Sequence, residues 1–253
     1  MPRLRFFFLV LGNARTGSTL LGAILNAHPA LVCANESRSS FELWRNLSRQ
    51  AILEDLYSNA VTVRQGGLQP SGYRYPIDVP HSSPERLLGI GDKVWNPATL
   101  MLHGDASLLG HLRSLLGLNI LLIEVVRNPF DVIATMHIRS GASLENRANW
   151  YRMHCDAASS IRKSVPENQF IRIHYEDLIA SPGDTIKEIC DFLGVESDES
   201  HIRACLKLIY KDPKMTRQQV KWTPSDEDVV MKTIQVYKHL MRYGDASSFP
   251  QGS

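Results

Sequence analysis

The sequence of 253 residues predicts an α/β fold, a single domain whose central, mostly parallel β-sheet is flanked by helices. Short apolar runs suited to buried strands recur along the chain, and segments with helical spacing of apolar residues follow several of them. We expect the domain to span residues 1–243, a length that can bury its own core. Residues 244–253 contain Gly, Ser and Pro and predict a flexible tail.

The first unit is a strand at residues 4–11, a loop, and a helix whose apolar positions begin at Leu20 and which ends before Pro29. Later apolar runs predict four more strands. Segments with helical spacing of apolar residues predict three more helices, and Gly194 is expected to cap the C-terminus of the last of them. The predicted strands lie at 31–33, 87–91, 120–126 and 170–175. One predicted helix begins near residue 130, a second covers 144–165, and a third covers 185–193.

The loop at 12–19 resembles a phosphate loop that lacks its lysine. Gly12 and Gly17 have the spacing of the pattern G-x-x-x-x-G-K-[ST], but Ser18 stands where that pattern has Lys, and the positive charge is at Arg15. A helix N-terminus offers unpaired N–H groups and a partial positive charge, so this context suits an anion. The alternative is a turn that only joins the strand to the helix.

A second phosphate signal follows the strand at 120–126, which ends on Arg127 and not on a carboxylate. Pro129 suits the first turn of the next helix, and Thr135 lies two turns into it. Ligands of open α/β sheets bind at the carboxyl ends of the strands, so Arg127 and Thr135 could meet one phosphate there. A surface salt bridge for Arg127 and an ordinary helix position for Thr135 are the alternatives.

Together the two segments resemble those of sulfotransferases that depend on 3′-phosphoadenosine 5′-phosphosulfate (PAPS). The chain is most similar to the tyrosylprotein sulfotransferase type and its bacterial relatives, over roughly residues 5–195. The resemblance implies a P-loop-like sulfotransferase fold, PAPS as co-substrate and no metal. It also implies that the loop binds the 5′-phosphosulfate, whereas Arg127 and Thr135, where Ser is usual, bind the 3′-phosphate. The loop residues in question are Arg15, Thr16, Gly17, Ser18 and Thr19.

Three residues are the candidates for catalysis. Glu36, which follows a predicted short strand, matches the catalytic Glu of the tyrosylprotein type and is the expected general base. Lys93 matches its catalytic Lys, and with Arg15 it would offset the charge that grows on the leaving group. A Glu36 ion pair with Arg38 or Arg45 and a surface position for Lys93 are the alternatives. The rival bases are His28, His81 and His103.

The segment at 216–221 is a weaker candidate for the nucleotide site. Arg217 or Lys221 could meet the 3′-phosphate, and Trp222 could stack on adenine. The Arg-Lys-Gly signature that the family carries near its C-terminus is absent here, so a solvated basic loop is an equal alternative. In the loop predicted at 64–85, Tyr73, Tyr75 and His81 could line an acceptor pocket, although a surface position is slightly favoured.

Composition limits the other classes of function. The net charge of +2 and the lack of a basic tract argue against nucleic acid as a partner. The four cysteines show no metal-ligand spacing, which fits buried thiols in a reducing cytosol. The apolar run at 6–11 is too short to cross a membrane and has no signal-peptide layout, so the chain is expected to be cytoplasmic unless an anchor lies outside it.

Two further functions remain open from the sequence. A small-molecule kinase using ATP and magnesium would need a metal carboxylate, for which Asp92 is the candidate. A non-catalytic nucleotide-binding protein is the other possibility. The presence of all four charged residues argues against it, since a site that has lost its activity need not keep Arg15, Glu36, Lys93 and Arg127 together. The acceptor could be a carbohydrate, a lipid, a peptide tyrosine or a natural product that offers a hydroxyl or an amine. The oligomeric state cannot be predicted from these residues.

Overall fold

A five-stranded parallel sheet forms the centre of the molecule. The computed structural model describes residues 1–37, 45–66, 75–78, 82–210 and 214–245. The strands run in the order β2-β3-β1-β4-β5, and every neighbouring pair is parallel, so the sheet is parallel throughout and not mostly so. The strands are β1 (Phe6–Gly12), β2 (Leu31–Asn35), β3 (Gly89–Lys93), β4 (Asn119–Val126) and β5 (Phe170–His174).

Ten α-helices connect and cover these strands in the described part of the chain. Three short 3₁₀ turns accompany them, at Glu167–Gln169, Thr216–Gln219 and Lys238–Tyr243. The helices are α1 (Ser18–Asn26), α2 (Arg49–Gly66), α3 (Pro97–Gly104), α4 (Ser107–Leu116), α5 (Pro129–Ser140), α6 (Leu144–Ser164), α7 (Tyr175–Ala180), α8 (Pro182–Leu193), α9 (Glu199–Leu206) and α10 (Pro224–Val236).

Strand β1 supplies side chains to a separate core on each face of the sheet, because successive side chains of a strand point to opposite sides. Phe7, Leu9 and Leu11 pack with residues of α2, α3 and α4 on one face. The alternate residues, Phe6 and Phe8 among them, pack with α1, α8 and α9 on the other. Helices on both faces therefore bury the central strand completely, which explains its unbroken apolar sequence.

The charged residue inside β4 has a partner on the neighbouring strand. Glu124 is paired in register with Arg172 of β5, and the guanidinium Nε donates to Glu124 Oε2 at 2.7 Å. Burial raises the pKa of Glu124, and the arginine partly offsets that effect. This ion pair allows a carboxylate to interrupt a strand that is otherwise buried.

A third apolar cluster joins α5, α6 and α10, with Phe130, Tyr151 and Ile234 among its buried members. It lies beside the carboxyl end of β4 and includes residues of the final 3₁₀ turn, so the last part of the described chain packs against the centre of the molecule. No helix in the described ranges has the combination of length and apolar character that crossing a bilayer requires.

All five predicted strands are present, with shifts of one to two residues at most ends. β3 continues to Lys93, so this lysine ends the strand and does not follow it. The loop predicted at 64–85 begins later than expected, since α2 extends to Gly66, and residues 67–74 and 79–81 lie outside the described ranges. Most of the predicted tail, residues 246–253, also lies outside them.

Candidate active site

The loop between β1 and α1 has the backbone of an anion-binding site. Gly12 and Gly17 have φ angles of 129° and 98°, and Arg15 is itself left-handed at 71°. Gly17 is the N-cap of α1, and no side chain caps the N–H groups of that helix. These donors and the positive end of the helix dipole therefore face the end of the loop where an anion would bind.

Gly17 is also required for packing. A Cβ at this position would lie 2.4 Å from Cδ2 of Tyr175, the first residue of α7. The Tyr175 ring in turn lies under Arg127, whose Cζ is 4.8 Å from the ring centroid. The glycine that permits the turn thus also admits the aromatic ring that supports the second cation.

Arg127 ends β4 and contacts two segments that lie far from it in sequence. Its guanidinium donates to the backbone oxygen of Arg15 at 3.4 Å and to that of Lys214. The carboxylate of Asp131 lies 3.9 Å from Nη2. Arg127 is therefore held between the phosphate loop and the segment before the second 3₁₀ turn, in a position to contact a ligand of the loop.

Glu36 and Lys93 form an ion pair at the carboxyl ends of β2 and β3. Lys93 Nζ donates to Glu36 Oε1, and the backbone N–H of Glu36 donates to Lys93 O at 2.8 Å. Glu36 has a φ of 55°, so the chain leaves β2 through a left-handed residue. Two of the three residues that the sequence predicts for catalysis are thus in direct contact, although 57 positions separate them.

Asp92 belongs to the opposite face of the sheet. In the register of β1 and β3, Asp92 is level with Leu9, whereas Lys93 is level with Val10 on the side of α1. Asp92 Oδ1 accepts a hydrogen bond from the N–H of Ser37 at 3.3 Å. Burial raises the pKa of this carboxyl to about 7, an effect that the Ser37 N–H and Lys93 partly offset.

A single cavity of 590 Å³ brings the loop and the charged residues together. It lies at the carboxyl edge of the sheet, where β1, β3 and β4 end. Four cationic side chains and one carboxylate line it, so an anionic ligand is favoured over a neutral or cationic one. These charged lining residues are Arg15, Lys93, Arg127, Lys214 and Glu36.

Seven of the predicted site residues line this cavity. They are Arg15, Gly17, Ser18, Thr19, Glu36, Lys93 and Arg127. The Thr16 side chain is turned into the protein, where its hydroxyl donates to Asn13 O at 2.9 Å. Thr135 does not line the cavity, and its hydroxyl donates to the backbone oxygen of Asp131 at 2.7 Å.

The C-terminal candidates lie behind the cavity wall. Arg217 is buried, and its Nη1 lies 2.5 Å from Asp131 Oδ2. Trp222 packs edge-on against Phe130 and donates to Arg217 O at 2.9 Å. Lys221 is exposed and does not line the cavity. In this structure Arg217 supports Arg127 through the carboxylate that both contact.

The two rival histidine bases that the structure describes, His28 and His103, do not line the cavity. His28 is buried, accepts a hydrogen bond from Ala30 N at 3.0 Å, and has Nε2 2.9 Å from Glu196 O. Burial lowers its pKa, in agreement with a packing role. His103 is exposed on α3 and does not line the cavity either, and His81 and Tyr73 lie outside the described residues.

A comparison with family models matches the middle of the chain. Residues 107–199, which include β4, Arg127 and β5, match the model of the sulfotransferase family. The predicted resemblance to sulfotransferases is confirmed over this segment. No curated protein matches the sequence significantly.

Solved structures of sulfotransferases share the fold of this chain. The sulfotransferase domain of the olefin synthase of Synechococcus PCC 7002 superposes with a TM-score of 0.56 at 20% identity and covers 95% of this chain and 94% of its own. A sulfotransferase from Alicyclobacillus acidocaldarius gives 0.53 at 15% identity, covering 98% and 97%. Mouse sulfotransferase SULT7A1 in complex with PAP gives 0.53 at 12% identity, covering 94% and 89%.

Several residues of the cavity were not identified from the sequence. Tyr75 is buried and lines the cavity, so the preference for a surface position was wrong for this residue. The other aromatic and polar lining residues include Asn13, Trp95, Asn96, Tyr175 and Tyr210. Tyr175 follows β5 directly, and the rule that ligands bind at the carboxyl ends of strands could have found it. Tyr210 and Lys214 lie outside any motif.

Proposed function

We propose that this protein is a sulfotransferase that uses PAPS as its donor and transfers the sulfuryl group to a hydroxyl or amine acceptor. The observation that carries the proposal is the convergence of the phosphate loop, Arg127 and the Glu36–Lys93 pair on one cavity. The kinase alternative has no support, since Asp92 faces the other side of the sheet from α1.

The order of the strands suggests how the donor lies. The 5′-phosphosulfate would bind at the end of β1, on the N–H groups of α1 and on Arg15. Arg127 at the end of β4 would bind the 3′-phosphate on one side of the loop. The bound PAP of mouse SULT7A1, whose fold is similar, supports a donor of this chemistry.

The catalytic pair lies on the other side of the loop, at the ends of β2 and β3. Glu36 would take the proton from the acceptor hydroxyl, whose oxygen then forms a bond to sulfur. The bond between sulfur and the bridging phosphate oxygen breaks, and its electrons leave with PAP. Lys93 and Arg15 would stabilise the charge that develops on that oxygen.

The Glu36–Lys93 contact supports these two roles. The Lys93 ammonium lies beside the Glu36 carboxylate, so the proposed base and the proposed cation for the leaving group share one place in the cavity. When PAPS binds, its bridging oxygen would compete with Glu36 for Lys93, so both groups can serve the same transfer. A left-handed residue at the end of an edge strand is a costly conformation, and such strain is typical of functional positions.

Calorimetric titration with PAP, with and without magnesium, tests the donor. We expect binding in both conditions, because the cationic cavity supplies the counter-charges itself. Binding that disappears without magnesium, or tighter binding of ATP than of PAP, would contradict the proposal.

The variant Glu36→Gln tests the mechanism. Gln keeps the size of the side chain but cannot take up a proton, so kcat should fall by about 10²- to 10⁴-fold while PAP affinity stays within a few-fold. Glu188→Gln, at an exposed position of α8, is the matched control and should keep full turnover. Unchanged turnover in Glu36→Gln would remove Glu36 as the base.

A further inference from the structure

The turn that carries Arg127 is bonded to the first turn of α7. The N–H of Asn128, the residue after Arg127, donates to Glu176 Oε1 at 2.9 Å. Asn128 is the N-cap of α5, and the N–H of an N-cap residue receives no partner from its own helix. Glu176 therefore supplies the acceptor that the helix cannot, and it fixes the backbone from which the arginine side chain starts.

This bond continues the pairing of β4 and β5, which end level with each other. Arg127 follows β4 and Tyr175 follows β5, and the guanidinium lies over the tyrosine ring. Asn128 and Glu176 come next in the two segments and form the hydrogen bond. Helix α7 thus holds Arg127 twice, through the ring beside its side chain and through the carboxylate beside its backbone. Tyr175 lines the cavity and Glu176 does not, so Glu176 can affect a ligand only through its neighbours.

The other oxygen of Glu176 binds the last 3₁₀ turn. The buried Tyr243 of that turn donates its hydroxyl proton to Glu176 Oε2 at 2.6 Å. A hydroxyl has one proton to donate, so it accepts from His174, whose Nδ1 lies 3.0 Å away. Burial and the carboxylate raise the pKa of Tyr243, in agreement with a phenol that keeps its proton. The Glu176 carboxylate is therefore bonded at both oxygens and cannot rotate away from Asn128.

We infer that Glu176 is a positioning residue for the donor: through Asn128 it fixes the turn of Arg127, and with it the place of the cation that meets the 3′-phosphate. The inference rests on the proposed function. Arginine binds phosphate through a planar fork of donors, so the contact depends on the direction of the guanidinium as well as on its charge. The backbone oxygens of Arg15 and Lys214 hold the far end of this side chain, and Glu176 holds the near end.

The competing explanation is that Glu176 only anchors the last 3₁₀ turn. Arg242 also joins that turn to α7, through two hydrogen bonds of 2.7 Å to Asp177, the residue after Glu176. Both carboxylates therefore bind the same 3₁₀ turn, and Glu176 binds the turn of Arg127 in addition. Asp177 is for this reason a matched comparison, because its removal loosens the 3₁₀ turn without touching the backbone of Asn128.

The test compares two nucleotides that differ only in the 3′-phosphate, PAP and adenosine 5′-phosphate (AMP). In Glu176→Ala, the affinity for PAP should fall by about 10- to 100-fold, because a displaced arginine loses a charge-assisted hydrogen bond. The affinity for AMP should stay within a few-fold, since AMP has no group for Arg127. The KM for PAPS should rise while kcat stays within a few-fold, because the 3′-phosphate takes no part in the bonds that form and break.

The variant Glu176→Gln should keep the affinity for PAP within a few-fold of the wild type. Its Oε1 can still accept from the N–H of Asn128, and its amide can donate to Tyr243, whose hydroxyl then donates to His174. Asp177→Ala is the control. It removes a half-exposed ion pair from the same 3₁₀ turn and should leave the affinity for PAP unchanged.

A double-mutant cycle shows whether Glu176 acts through Arg127. Arg127→Ala should lower the affinity for PAP toward that for AMP. In this background Glu176→Ala should have almost no further effect on PAP, because the group that it positions is gone. If Glu176→Ala is unfolded at the temperature of the titration, Tyr243→Phe makes the same comparison with a smaller change. It frees one oxygen of the carboxylate, and it should weaken PAP by a few-fold and leave AMP unchanged.

The failures of the inference and of the proposed function are separable. Equal losses for PAP and AMP in Glu176→Ala, or additive losses in the double variant, overturn the inference and leave the donor assignment intact. A loss of PAP affinity in Asp177→Ala as large as that in Glu176→Ala also overturns it. A wild-type protein that binds PAP no better than AMP, or that does not bind PAP, overturns the proposed function, and the inference with it.

Discussion

Asp92 places a titratable carboxyl directly behind the Glu36–Lys93 pair. Asp92 is bonded to the turn that contains Glu36, because its Oδ1 accepts a hydrogen bond from the N–H of Ser37. The Ser37 hydroxyl in turn donates to Asp55 on α2 at 2.6 Å. Lys93 is the next residue of the same strand, and Cys33 of β2 is the other titratable neighbour. Burial raises the pKa of Asp92 to about 7, near neutral pH.

The variant Asp92→Asn should change how stability depends on pH. The folded protein holds this proton more tightly than the unfolded chain, where the carboxyl titrates at its usual value of 3.8. Its contribution to stability is therefore complete below about pH 4 and is lost as the pH rises through 7, at up to about 1.4 kcal/mol per pH unit. Asparagine can still accept from Ser37 but does not titrate.

Urea unfolding at pH 5 and pH 8 measures this effect. The free energy of unfolding of the variant, relative to the wild type, should rise by about 2–3 kcal/mol between the two pH values. Asp191→Asn, at an exposed position, should follow the wild type at both. Equal pH dependence of wild type and Asp92→Asn would contradict the prediction.

Single residues were predictable where a local pattern marked them. Arg15 and Gly17 follow from the loop spacing, and Arg127 from its place after an apolar strand. The Glu36–Lys93 contact was implied by a family resemblance, since no local pattern joins residues on different strands. Asn96 was missed because an asparagine before Pro97 is also a normal helix start, and only the structure shows that it caps nothing.

Among the elements, the 3₁₀ turn at Thr216–Gln219 is attached to α5 by one carboxylate. Asp131 accepts the backbone N–H of Arg217 at 2.9 Å and pairs with its guanidinium, and it also faces Arg127. Asp131 and Arg217 are both buried, so little solvent is available to replace a missing partner of this ion pair.

The variant Asp131→Asn should detach this turn. Removing one charge from a buried pair costs about 3–5 kcal/mol, because the arginine is left without its counter-charge. Chemical unfolding gives the loss of stability, and amide hydrogen exchange should become faster at Thr216–Gln219. Asp228→Asn removes an exposed pair with Lys232 and should cost less than about 1 kcal/mol. Similar losses in both variants would argue against the assignment.

Elements with strong apolar runs were predictable, and amphipathic helices less so. The five strands were found because their side chains are buried on both faces or nearly so. Helix α2 was missed although Ile52, Leu56 and Ala60 have helical spacing and Ser48 caps its start, where the hydroxyl accepts a hydrogen bond from Ala51 N at 3.2 Å. Tyr210 and Lys214, which the C-terminal part of the chain contributes to the cavity wall, could not be predicted, because they are placed by contacts with residues far away in the sequence.

At the scale of the whole molecule, all four cysteines are buried and unpaired. Burial raises the pKa of every thiol, to about 12 for Cys190 and Cys205 and above its usual value for Cys33 and Cys155. Cys33, Cys190 and Cys205 lie in the core on the α1 side of the sheet, and Cys155 of α6 lies in the third cluster, so the thiols report on the packing of these two clusters.

The native protein should therefore react slowly with a thiol reagent such as DTNB at pH 8. A buried, protonated thiol is a poor nucleophile, so labelling has to wait for the structure to open. All four thiols should react rapidly in urea, and PAP should slow labelling of the native protein by stabilising it. Rapid labelling of any thiol in the native state would show that the packing described above is incomplete.

The contacts of Arg127 with Lys214 O and of Asp131 with Arg217 determine when during synthesis the site can form. The loop at 12–19, Glu36 and Lys93 leave the ribosome early. The segment that holds Arg127 in place leaves it only after β5, α8 and α9 have been made. A growing chain can therefore contain all five strands before Lys214 and Arg217 are available to hold Arg127 and Asp131.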